Sequence, residues 1–108
     1  MSLDIRLVCK ETGKELYETN ITHNMNTMAA EAKIYDAIWR PEEVCINRAA
    51  GVWGDVKEGY GDLMTSPDHY RQFNPPNGWG DYDSFCEWLT DYLRACRRYP
   101  DAKVETSR

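Results

Sequence analysis

Leu3-Asp4-Ile5-Arg6-Leu7-Val8-Cys9 and Leu16-Tyr17-Glu18-Thr19-Asn20-Ile21-Thr22 decide the fold. In the first stretch Leu3, Ile5, Leu7 and Cys9 fall on one side and Asp4, Arg6 and Val8 on the other, which is the period of a half-buried strand. The second resumes the alternation through Tyr17, Thr19 and Ile21. Between them lies Glu11-Thr12-Gly13-Lys14, where Gly13 is free to take the left-handed conformation of a short hairpin loop. The segment up to Thr22 therefore reads as an antiparallel hairpin. A hairpin alone is marginal in water, so the rest of the chain must cover its apolar face.

Downstream the apolar period lengthens to that of a helix. Met25, Met28, Ala29, Ala32, Tyr35 and Trp39 predict one helix from a cap at Thr22 or Asn24 through about Trp39. Arg40-Pro41 breaks it, and Pro41 suits the first turn of a further helix beginning Glu42-Glu43. From Asn47 to Met64, Val52, Trp53, Val56, Tyr60 and Leu63 keep helical spacing, but Gly51, Gly54, Gly59 and Gly61 interrupt it. Each glycine costs about 1 kcal/mol against alanine in a helix interior. The expectation is a helix that frays or bends, with tertiary packing or a closely approaching backbone as the reason for its glycines. Ser66-Pro67-Asp68 starts a short helix ending near Phe73, and Asn74-Pro75-Pro76-Asn77-Gly78-Trp79-Gly80 is a loop.

Asp81 or Asp83 opens the clearest helix. Phe85, Trp88, Leu89, Tyr92, Leu93 and Cys96 form one apolar stripe, and Arg94, Arg97 and Arg98 lie near its C-terminal end, where positive charge complements the helix dipole. Pro100 ends it, and Ala102-Lys103-Val104-Glu105 alternates as a third strand. These elements predict one α+β domain over residues 1–108: an N-terminal antiparallel hairpin, joined by a C-terminal strand and packed against three or four helices.

Composition bounds the function. The 108 residues are 42% hydrophobic and 29% charged, as in an ordinary globular chain. Eighteen acidic residues against 13 basic give a formal charge of -5, the reverse of a phosphate-tracking nucleic-acid binder. No run approaches the roughly 18 consecutive apolar residues of a membrane span. Met1-Ser2-Leu3-Asp4 lacks the basic and apolar regions of a secretory signal. Cys9, Cys45, Cys86 and Cys96 are widely spaced, with no C-x-x-C pair, and read as buried reduced thiols in a cytoplasmic protein. His23 and His69 stand alone, so neither a metal site nor a cofactor is expected.

Two segments are candidate sites. Asn20-Ile21-Thr22-His23-Asn24 joins the second strand to the first predicted helix, and such a junction offers amide donors, with His23 as a neutral hydrogen-bonding group or a base. The plainer account is that Thr22 or Asn24 caps the helix and His23 bonds a nearby carbonyl. Asn77-Gly78-Trp79-Gly80-Asp81-Tyr82 sets a tryptophan between two glycines, where it either plugs the core or meets a ligand or a partner protein. Should both segments converge, Asn20, Thr22, His23, Asn24, Asn77, Trp79 and Tyr82 would make a polar pocket. Signatures of catalysis are otherwise missing: no G-x-S-x-G, Walker loop, G-x-G-x-x-G or H-E-x-x-H occurs.

Taken in order, Asn20-Ile-Thr-His-Asn24, Ala37-Ile-Trp-Arg-Pro-Glu-Glu43, Phe73-Asn-Pro-Pro-Asn-Gly-Trp-Gly80, Tyr92-Leu-Arg-Ala-Cys96 and Pro100-Asp-Ala102 resemble a group of small bacteriophage and prophage proteins. The likeness covers about residues 16 to 108, and it implies a phage or bacterial cytoplasmic setting without implying an activity. The leading expectation is a non-catalytic binding module acting on a host or phage protein, for instance as an inhibitor of bacterial defence. The rival is a small-molecule or nucleotide site, or a weak enzyme, built on His23, Asn24 and Trp79. A third is a phage structural or assembly protein, seen as a symmetric homo-oligomer. Nucleic acid ranks last among partners, and a membrane is not expected.

Overall fold

A computed structural model describes residues 2–108. Strand β1 (Ser2–Val8) pairs antiparallel with β2 (Glu15–Thr22) on one side and with β3 (Lys103–Ser107) on the other, in the order β2-β1-β3. The register places Leu3 opposite Ile21, Ile5 opposite Thr19 and Leu7 opposite Tyr17, so one face of the sheet is apolar. Leu3, Ile5 and Leu7 are fully buried. The other face carries Asp4, Arg6, Glu18, Asn20 and Glu105 toward solvent, as one-sided antiparallel sheets do. There Arg6 pairs with Glu105 at 2.6 Å and Glu15 at 3.4 Å.

Five helices share one core with the apolar face: α1 (Asn26–Glu31), α2 (Tyr35–Trp39), α3 (Ala49–Thr65), α4 (Pro67–Arg71) and α5 (Tyr82–Arg98), with α5 packed on β2. Helix α5 buries the predicted stripe of Phe85, Leu89, Tyr92, Leu93 and Cys96. Its N-terminus is closed by a capping box in which Asp81 Oδ1 accepts from the Ser84 amide at 2.7 Å and Ser84 Oγ accepts from the Asp81 amide at 3.0 Å. Trp88 Nε1 donates to Thr19 Oγ1 at 2.8 Å, which ties α5 to β2. On the far side, Tyr60 and Thr90 share a 2.7 Å hydrogen bond between α3 and α5.

The single helix predicted from residue 22 or 24 to Trp39 is broken in the structure. A 3-10 turn over His23–Met25 precedes α1, and Lys33 at φ 63° separates α1 from α2. The Ile34 amide donates to the Ala29 carbonyl and the Lys33 amide to the Ala30 carbonyl, the paired bonds of a Schellman ending. The apolar spacing runs through this turn because Ala32 and Ile34 stay buried on both sides of it. The helix expected from Pro41 is likewise a 3-10 turn, Pro41–Val44, ended by Cys45 at φ 61°.

The glycine-interrupted segment is one continuous 17-residue helix, without the fraying that was one of the two expectations. Gly59 explains part of the pattern, since the α1–α2 turn lies directly against it. A side chain there would overlap Ile34 Cγ2 and stand 2.5 Å from the Ala32 carbonyl oxygen. Gly54 and Gly61 face open space. Among the described residues, no helix is long and apolar enough to cross a membrane.

Candidate functional site

The loop before α5 is built by its own sequence. Pro75 and Pro76 contribute no amide donors, Gly78 and Gly80 take φ 76° and 95°, and Asn77 Oδ1 accepts from the Trp79 amide at 3.0 Å. Asn74 Oδ1 accepts from the Tyr82 amide at 2.8 Å and fastens the loop to the start of α5. Gly80 has a second duty. At φ 95° any other residue is strained here, and a β-carbon would stand 3.0 Å from Met25 Sδ and 3.2 Å from Thr22 Cγ2, so glycine suits the close approach of the loop to the β2–α1 junction.

The two segments singled out in the sequence therefore meet. Asn20, Thr22 and Asn24 from one, and Asn77 and Trp79 from the other, surround an open groove of about 460 Å³ together with Ser2. That volume falls within the usual 300–1,000 Å³ of ligand sites. Ser2, Asn20 and Thr22 come from the solvent-facing side of the sheet, where Ser2 pairs with Thr22. Trp79 is 70% exposed, and so does not plug the core. The other tryptophans are partly or fully buried, and two have their indole N–H satisfied, Trp39 by His23 and Trp88 by Thr19.

His23 and Tyr82 lie outside the groove. Trp39 Nε1 donates to His23 Nδ1 at 3.0 Å, so the histidine serves as an acceptor within the fold. Tyr82 is buried, donates through its hydroxyl to the Leu63 carbonyl at 2.5 Å, and stacks beneath the Arg71 guanidinium. Burial pushes its phenol up to about 12. Thr22 caps the 3-10 turn, its Oγ1 accepting from the Asn24 amide at 3.3 Å.

Among the described residues the groove lining carries no ionisable side chain. Three carboxamides and two hydroxyls offer donors and acceptors around one indole face. This set can hydrogen-bond and stack. No cluster of three or more His, Cys, Asp or Glu suited to a metal ion occurs among the described residues.

Cysteine placement corrects the expectation of four buried thiols. Cys86 and Cys96 are buried, whereas Cys9 is half-buried and Cys45 exposed. Cys9 lies in the hairpin turn, where hydrogen bonds from the Thr12 hydroxyl and the Thr12 and Glu11 amides lower its thiol pKa. Its place in the strand alternation concealed that setting, because the turn amides converge on it only once the hairpin closes. Comparison of the chain with protein-family models, curated proteins and solved structures finds no match in any of the three.

Proposed function

We propose that this protein is a non-catalytic binding module that engages a partner protein through the groove beside Trp79. One observation carries the reading: an indole left 70% exposed on a loop that its own hydrogen bonds and a pinned glycine hold in place. Exposing tryptophan to water forfeits apolar burial, roughly 1.5–3 kcal/mol for a large side chain, which a partner recovers on docking. Tryptophan is also among the residues most enriched at the energetic centres of interfaces. Asparagine, serine and glycine around such an anchor give the adaptable hydrogen bonding of recognition loops.

The partner is a host or phage protein in the bacterial cytoplasm, the setting that the sequence resemblance implies. Blocking a defence protein is one role consistent with that setting. The test is native mass spectrometry of complexes recovered gently from bacterial lysate, followed by titration of the purified partner. A defined heteromeric complex, weakened by about tenfold or more in Trp79→Ala with the melting temperature unchanged, is the expected result. A complex indifferent to Trp79 would move the interface elsewhere, and a bare symmetric homo-oligomer would favour an assembly role.

A further inference from the structure

Strand β2 is an edge with no strand on its outer side among the described residues. The opposite edge of the sheet is partly covered, since the Val104 amide donates to the Asn47 carbonyl and Arg48 bridges Lys103 beside β3. The last turn of β2 runs straight into the groove, which takes Asn20 and Thr22 as part of its lining. An open main-chain ladder and an exposed indole thus share one corner of the molecule.

We infer that the partner presents an extended peptide segment free of acidic side chains, which adds to the outer edge of β2 and sets a side chain against Trp79. This rests on the binding-module reading above and names its ligand class. Main-chain groups of β2 give such a segment its ladder bonds, while side chains on the face shared with Asn20 and Thr22 meet the indole. A carboxamide is the side-chain copy of a peptide group, able to donate to a carbonyl and accept from an amide together. Asn20 and Asn24 supply two of them, and Asn77, whose oxygen accepts from the Trp79 amide, adds its donor. A phosphate or a carboxylate would find no counter-charge among the described lining residues and would meet Glu18 on the face of β2 shared with Asn20 and Thr22. A second copy of the chain paired at this edge would set Glu15 and Glu18 of both molecules along one seam, where like charges repel.

The probe is the capped hexapeptide acetyl-Thr-Val-Thr-Val-Thr-Val-amide, titrated to millimolar concentration into the isotope-labelled full chain. Amide resonances of β2, Asn24 and the Trp79 indole should shift saturably, and Trp79→Ala or Asn24→Ala should weaken the effect while leaving the remaining spectrum dispersed. In a strand ladder only alternate residues turn their N–H toward the neighbour. N-methylating one alternate set should therefore abolish binding, whereas methylating the other set should preserve it. Equal effects of the two sets, saturable binding of a neutral oligosaccharide such as cellotetraose in place of the peptide, self-association through β2, or no shift at all would each overturn the inference. A partner protein that still needs Trp79 when the peptide does not bind would leave the binding-module reading standing without it.

Discussion

Trp39 Nε1 donates a hydrogen bond to His23 Nδ1 at 3.0 Å, and the indole that does so is only 1% exposed. The same ring stacks on Tyr35 with centroids 5.4 Å apart, so His23 anchors an aromatic pair under the β2–α1 junction. Removing the acceptor leaves a buried N–H without a partner, which costs about 1–3 kcal/mol. His23→Ala should therefore lower the urea midpoint accordingly. Groove affinity should remain intact in the folded fraction, since His23 is not part of the lining. A variant with unchanged stability and lost binding would return His23 to the site.

The glycines of α3 divide into two kinds, and the division predicts opposite signs. Gly59→Ala forces a methyl group into Ile34 and the Ala32 carbonyl, and overpacking against backbone of this sort costs about 1–3 kcal/mol or more. Gly54→Ala and Gly61→Ala meet nothing within 4 Å in a helix of ordinary dihedrals. Each should stabilise by roughly 1 kcal/mol through helix propensity. Thermal melts of the three variants check the ordering, and a neutral Gly59→Ala would show that the α1–α2 turn can shift.

How much of this was legible in the sequence depends on whether the deciding contact was local. The hairpin, the α5 stripe and the third strand follow from periodicity, because each buries one face against whatever lies beneath. The Asn77-Gly78-Trp79-Gly80 loop was legible as a loop for the same local reason. Its approach to Asn20, Thr22 and Asn24 was not, because it turns on Gly80 fitting against Met25 and Thr22 across the fold. The break after α1 was hidden differently. A helix ending there usually shows glycine in the left-handed position, and this chain uses Lys33.

That substitution leaves a measurable strain at Lys33. A non-glycine residue in the left-handed region pays about 1–2 kcal/mol, part of which glycine returns through the added entropy of its unfolded chain. Lys33→Gly should raise stability by about 0.5–1 kcal/mol by chemical denaturation. Lys33→Val, branched at the β-carbon, should lower it. No gain from glycine would mean that the lysine side chain contributes contacts of matching worth.

Stability should fall at both ends of the pH scale, for different groups. Burial pushes the Cys96 thiol up to about 12 and raises Cys86 as well. The unfolded chain releases those protons near the ordinary thiol value, about 8.5, while the native state keeps them. The native state then binds more protons, so stability declines as pH rises from about 9 toward 12. At the acid end, the Ser84 amide and hydroxyl hold Asp81 below the usual carboxylate range, Arg108 does so for Glu42, and Arg6 for Glu105. Their contribution is complete above the unfolded values, about 3.9 and 4.3, and disappears as pH falls through the lower native ones. Urea titrations across this range under reducing conditions should show both declines. Asp81→Asn, which keeps an acceptor at the cap without a charge, should make the acid limb shallower. Cys96→Ala lowers stability throughout by leaving a cavity, so its informative feature is slope, and a shallower alkaline limb assigns that proton to the thiol. An unchanged slope would assign it to Cys86 or to the buried phenols, of which Tyr82 is pushed up to about 12.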